Sequence, residues 1–266
     1  MAADTKSLRN RIRSVDSTLH LTKAMGLVAS SKMRRANMNM NRGREYAAAM
    51  QEVVDVLRAS PECARTPYMV PKGEQTCLIV IAGDRGLAGG YNANIFRLAA
   101  TLEYDRVIAI GKRACDRFGC EFRSSERFYA EDSEKIAQEV CRDFLDGKIG
   151  RVGILYTRYR SMMSQEATVN WVLPLEKTER ATAAGPVFEP DEQTVLTGAV
   201  PTYVAGILSA CVKESYACEV AARRMAMDSA GKNAQEMIDQ LQLQYNRARQ
   251  NSITQEITEI VAGSGL

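Results

Sequence analysis

The chain has 266 residues, 45% of them apolar and 25% charged, with a formal net charge of +3. These values are those of an ordinary globular protein and exclude a disordered, collagenous or wholly membrane-embedded chain. Seven scattered cysteines without a C-x-x-C pair and a single histidine, His20, argue against a disulfide framework, a zinc site or a histidine base, so free thiols in a reducing compartment are expected.

The N-terminal segment carries arginines but no apolar core of a signal peptide, and it reads as mature sequence. No apolar run is read as long enough to span a bilayer. All seven prolines lie between Pro61 and Pro201, leaving 1–60 and 202–266 free of them. Both of these stretches place apolar residues at helical spacing, so each predicts a long helix. The charge is uneven. Residues 1–60 hold eleven Lys/Arg against five Asp/Glu, whereas 61–201 hold eighteen against twenty and 202–266 six against seven. The first helix is the basic element, and its charge suits nucleic acid, an anionic membrane surface or an acidic protein surface as a partner.

In the first segment Leu8, Ile12, Val15 and Leu19 form one apolar series. A second runs through Met33, Ala36, Met40, Gly43, Ala47, Met50, Val54 and Leu57. The alternation of three- and four-residue steps is the seam of a left-handed coiled coil. The gap between the two series predicts a stutter. Pro61 and Pro67 end this helix. The last segment predicts a helix that follows Pro201, with Val204, Ile207, Leu208 and Cys211, then Ala234, Met237, Leu241, Tyr245 and Ala248, on its apolar face.

The middle is of another kind. Residues 77–82, 106–110, 152–157 and 168–175 are short β-branched runs that predict strands. Residues 92–102, 112–118 and 132–145 predict helices between them. The alternation implies a Rossmann-like α/β domain with an open, mostly parallel sheet. The expected organisation is therefore a helix over 1–60, an α/β domain over 61–201 and a helix over 202–266, the two helices pairing as an antiparallel coiled coil.

The loop after the first strand is glycine-rich (residues 83–92), yet its order is neither G-x-G-x-x-G nor a G-K-[ST] phosphate loop. Its glycines, Gly86, Gly89 and Gly90, are expected to shape a turn, with Asp84 and Arg85 presented to a partner. No pair of catalytic carboxylates, nucleophile with a base, or metal-ligand cluster emerges from the spacing. A non-catalytic chain without cofactor or metal is expected. A nucleic-acid binder would use the basic first helix, but no aromatic residue precedes Tyr46 to stack on bases.

Three segments together resemble one family, the γ subunit of F-type ATP synthases: LTKAMGLVASSKMRRA at 21–36, DRGLAGGYN at 84–92, and LQLQYNRARQNSITQEITEIVAGSG at 241–265. The resemblance implies a rotor. Its coiled coil stands inside a hexamer of α and β subunits, and its α/β foot rests with an ε subunit on a membrane ring of c subunits. One copy serves each complex, with no nucleic acid and no small-molecule substrate of its own. The matched motifs imply contacts with β subunits at Lys23, Met25, Arg224, Arg249, Gln250, Thr254, Glu256 and Thr258. They imply an apolar bearing tip at Ile257, Ile260 and Val261. The lack of a transit peptide and of a chloroplast-type cysteine insertion implies a bacterial protein, peripheral on the cytoplasmic side of the plasma membrane.

Overall fold

A computed structural model describes residues 2–178 and 188–263. It resolves into two compact units, Ser31–Ala222, and Met1–Ser30 with Arg223–Leu266. Two long helices, α1 (Ala2–Ala59) and α5 (Glu192–Gly263), each contribute to both units.

The larger unit is built on four strands. These are β1 (Thr76–Ile81), β2 (Arg106–Ile110), β3 (Arg151–Tyr159) and β4 (Gln165–Leu173), in the order β2-β1-β3-β4. β1 lies parallel to β2 and β3, and β4 closes antiparallel on β3. The mostly parallel sheet expected from the alternation of elements is therefore present. The strand order, which the alternation leaves open, is also defined. β1 is central and buried on both faces, which is why it reads as an unbroken apolar run rather than as an alternating one.

Its side chains divide by parity. Cys77, Ile79 and Ile81 join Val54 and Leu57 of α1, Val140 and Phe144 of α4 (Ala130–Leu145), and Leu196, Val204 and Leu208 of α5 in one core. Leu78 and Val80 meet Ile95 and Ala99 of α2 (Tyr91–Ala99) and Ala114 of α3 (Lys112–Phe118) on the other face. Such two-faced burial, at about 25 cal/mol per Å² of apolar area, is the main stabilising term.

α5 begins at Glu192, ten residues before the expected start, and contains Pro201. Asp191 caps it: its carboxylate accepts from the Thr194 N–H at 2.9 Å and from the Thr194 hydroxyl at 2.7 Å. An Asp three residues ahead of a Thr was a legible start signal. Pro201 has no N–H for the carbonyl of Thr197, a cost of about 3 kcal/mol in a helix interior. Burial of Leu196, Val200, Tyr203 and Val204 on both sides of it offsets that cost.

The expectation that no run is long enough for a bilayer also needs correction. Residues 195–212 carry no charge. An 18-residue window of α5 has a mean hydropathy of 1.7, enough by length and composition to cross a membrane. That window is 61% buried within the protein, because this part of α5 is the core helix under the sheet.

Within the smaller unit α1 and α5 run antiparallel. Gly26 faces Met227, and Gly231 faces Thr22 and Leu19. In the larger unit they pair in the same sense: Gly43 lies against Ala210, Gly206 against Tyr46, and the Tyr203 hydroxyl donates to Gln51 at 2.8 Å. The expected stutter is absent. The buried or half-buried stripe of α1 passes from Leu19 through Thr22, Gly26 and Ala29 to Met33 in unbroken four- and three-residue steps. Thr22 can occupy a seam position because its hydroxyl donates to the carbonyl of Leu19 at 2.9 Å, within its own helix. On α5 Met237 is exposed and Ile238 takes the seam position beside Ala234 and Leu241.

Candidate functional site

The residues singled out in the sequence fall into three places. The first lies in the smaller unit, where Gly26 of α1 and Gly231 of α5 remove side chains from the facing surfaces. A groove of about 560 Å³ opens there, its lining including Leu19, Leu27 and Met227. Lys23 and Arg224 stand on its rim, so the structure brings these two together. Met25 is half-buried nearby on α1 and does not line the groove. Lys232 on the same rim pairs with Asp228 at 3.1 Å. Three apolar side chains not singled out from the sequence, Leu21, Leu27 and Val28, are 57–72% exposed on α1. The available signal was their position off the heptad seam, which leaves apolar side chains on the exposed face of the helix.

The second place is the end of α5. Arg249, Gln250, Thr254, Glu256 and Thr258 are all exposed. The hydroxyls of Thr254 and Thr258 donate back to the carbonyls of Gln250 and Thr254, at 3.0 and 2.7 Å. Both keep their acceptor lone pairs for an outside donor. Ile257, Ile260 and Val261 are 56–69% exposed, an apolar cluster on the last two turns of the helix. Residues 264–265 of the third matched segment lie outside the described residues.

The third place is the loop between β1 and α2. Its acid turns inward. The Asp84 carboxylate accepts from the Lys112, Ser125 and Glu126 N–H groups at 3.0–3.1 Å and from the Ser124 hydroxyl at 2.5 Å. Burial pushes its pKa up, but these donors outweigh burial and hold it below the usual carboxylate range. Asp84 thus ties the loop to the segment after α3, while Arg85 is exposed. Gly83 donates its N–H to the Asn92 side chain at 2.9 Å, and a Cβ there would come within 2.8 Å of the buried Glu219 carboxyl carbon. Gly89 (φ 56°) and Leu87 (φ 61°) are left-handed. Gly89 takes that conformation freely, whereas a leucine does so under strain. Leu87 points its side chain outward, 62% exposed.

All seven cysteines are free and six are buried; Cys120 is half-buried. His20 is exposed, 3.7 Å from Asp16.

The family profile described as ATP synthase matches residues 4–265. The "ATP synthase gamma chain" of Ruminococcus albus is 39% identical, covering 98% of this chain and 98% of its own. That of Geotalea daltonii is 36% identical with the same coverage of both chains. Among solved structures, a chain of the Euglena gracilis mitochondrial ATP synthase aligns over 99% of this chain and 94% of its own, at 19% identity and a TM-score of 0.69. A chain of the Tetrahymena thermophila mitochondrial ATP synthase central stalk and c-ring aligns over 79% of this chain at a TM-score of 0.61 and 19% identity, and both likenesses bear on the fold. With its profile match and curated relatives both spanning nearly the whole chain, this protein belongs to the ATP synthase gamma chain family.

Proposed function

We infer that this chain is the central-stalk rotor of a bacterial F-type ATP synthase, turning with a membrane ring of c subunits inside a hexamer of α and β subunits. The observation that carries the reading, beside family membership, is that α1 and α5 each serve both compact units as a single helix. A continuous helix transmits rotation because its backbone bonds are satisfied within the segment and require no partner along the way. The chain itself performs no chemistry in this reading. It acts as a ligand whose successive faces favour open or closed β conformations. It shifts their nucleotide affinities only by as much as its contacts differ between those states.

The contacts proposed with β are Lys23, Met25 and Arg224 on the helix pair, and Arg249, Gln250, Thr254, Glu256 and Thr258 near the end of α5. Ile257, Ile260 and Val261 form the proposed apolar bearing. Burial there is non-directional, so it holds the tip without fixing its angle. The loop around Arg85, Gly86, Gly89 and Gly90 is proposed to face neighbouring stalk or hexamer subunits, with ε and the c-ring contacting the α/β unit. One copy per complex, peripheral on the cytoplasmic side of the plasma membrane, completes the proposal.

The test is co-expression with cognate α and β subunits, with and without this chain. Isolation of a complex with one copy per hexamer, whose ATP hydrolysis depends on the chain, is expected. A chain that purifies alone and leaves α/β activity unaltered would overturn the reading.

A further inference from the structure

At the far end of β3, side chains rather than a strand complete the backbone bonding. Pairing of β1 with β3 stops at Val80 and Leu155, but β3 runs on to Tyr159. On its other side β3 stays paired with β4 out to Tyr159 and Gln165. Arg160 donates its N–H to Ser164 across that hairpin, at 3.2 Å. Since strand groups alternate in direction, Thr157 and Tyr159 aim their N–H and C=O at the side that β1 has left. Four backbone groups are thus left without a strand, those of Thr157 buried and those of Tyr159 half-buried, and each needs a partner.

Side chains of the long helices take the place of the missing strand. Tyr159 donates its N–H to Glu214 at 2.8 Å, and Thr157 donates its N–H to Ser215 at 3.0 Å. The Cys218 thiol donates weakly to the Thr157 carbonyl at 3.4 Å. Arg44 of α1 donates to the Tyr159 carbonyl at 2.8 Å and grips Glu214 through both Nε and Nη2, at 3.3 and 2.7 Å. The Tyr91 hydroxyl reaches Ser215 at 3.2 Å. Glu214, Ser215 and Cys218 share one helix face. Four residues of helix rise by about 6 Å and two residues of strand by about 6.6 Å, so the two spacings match. Ser215 and Cys218 are fully buried and Glu214 is 7% exposed.

We propose that Arg44, Glu214, Ser215 and Cys218, bonded to the free edge of β3, form the torque joint between the helical shaft and the α/β unit. Apolar packing alone resists separation but lets surfaces slide, because it is non-directional. Hydrogen bonds to strand backbone weaken steeply off their axis and oppose rotation of α5 against the sheet. These are positioning residues, and the proposal rests on the rotor reading above.

The experiment uses the assembled complex in membrane vesicles. ATP hydrolysis and ATP-driven ion uptake are followed together for the parent, Glu214→Ala and Glu214→Gln, the latter keeping side-chain shape should the alanine variant fold poorly. The expected result is continued hydrolysis with a loss of uptake per ATP, accompanied in Glu214→Ala, which removes the acceptor, by exchange of the Tyr159 amide that is about tenfold or more faster. Ile95→Val, a core change on the opposite face of the sheet, serves as the destabilised control and leaves both the ratio and the Tyr159 amide unchanged. Glu214 variants with the parent's uptake per ATP would overturn the joint, even where thermal stability falls. A parent chain that supports no uptake would sink the rotor reading itself, a result distinct from a parent and variants that pump equally well.

Discussion

Asp84 shows how much a single side chain can hold. Its two oxygens serve four donors, and replacing it with asparagine puts an NH₂ group against at least one of them. Asp84→Asn should therefore cost about 1–3 kcal/mol at neutral pH. The sign with pH follows from its lowered pKa. The bonds of the ionised form stabilise the parent fully above the unfolded carboxyl value, near about 3.9, and are lost as pH falls through the lower folded value. Urea unfolding should show the gap between parent and variant widest at neutral pH and narrowing below about pH 4. A pH-independent gap would mean that shape rather than charge is at stake. The cysteines make a second test. Burial pushes Cys77 up to about 11 and Cys141 up to about 12, and it also raises Cys63, Cys115, Cys211 and Cys218. Iodoacetamide on the native chain should modify half-buried Cys120 first, with the others reacting only on unfolding. Peptide mass spectrometry over time reads this directly.

Among the elements, glycines separate two kinds of constraint. Gly111 joins β2 to α3 with φ 92°, and a Cβ there would sit 2.0 Å from the carbonyl oxygen of Ala82. Gly111→Ala should cost about 3 kcal/mol or more, since both the backbone and the space forbid the methyl. Gly26 and Gly231 are in helices, where an added Cβ would meet its nearest neighbours at 3.7 and 3.6 Å, ordinary contact distances. Gly26→Ala and Gly231→Ala should each raise stability by about 0.5–1 kcal/mol through helix propensity and a less flexible unfolded chain. Thermal melts of the three variants check both signs. If the helix glycines also destabilise, the helices approach more closely there than the Cβ distances allow.

At the scale of the whole molecule, the exposed end of α5 and the rim of the groove should matter to assembly and coupling rather than to folding. The double variant Ile257→Ser/Ile260→Ser removes side chains that are 56% and 69% exposed. Surface changes of this kind stay within about 0.5 kcal/mol in the isolated chain. Its melting temperature should be unaltered while its recovery in a complex with α and β falls. Equal recovery would remove the bearing role. Met25→Lys adds a cation at a half-buried position of α1, and Arg249→Ala removes one near the end of α5. Both should lower ATP-driven ion uptake per ATP hydrolysed. Unchanged uptake per ATP for Met25→Lys, or an intact ATP-synthesis rate for Arg249→Ala, would count against the corresponding contact.

Much of this was readable from residue order alone, because it depends on local periodicity. The strands at 106–110 and 151–159, the helix at 112–118, the stop before Pro61 and the three motifs that carry the family all lie within a few residues of their signals. The parts that stayed hidden depend on neighbours distant in the chain. Thr22 and Gly26 look like a break in the seam until an opposing helix supplies Gly231 and Met227. Pro201 looks like a helix start until the core around Leu196 and Val204 outweighs its missing hydrogen bond. Asp84 looks like a surface acid until the segment at 124–126 folds over it. Glu214 and Ser215 look like any polar pair on a helix until β3 outruns β1 and leaves its backbone to be satisfied. Periodicity is a property of a segment, whereas the partner of a buried polar group is set by which segments meet.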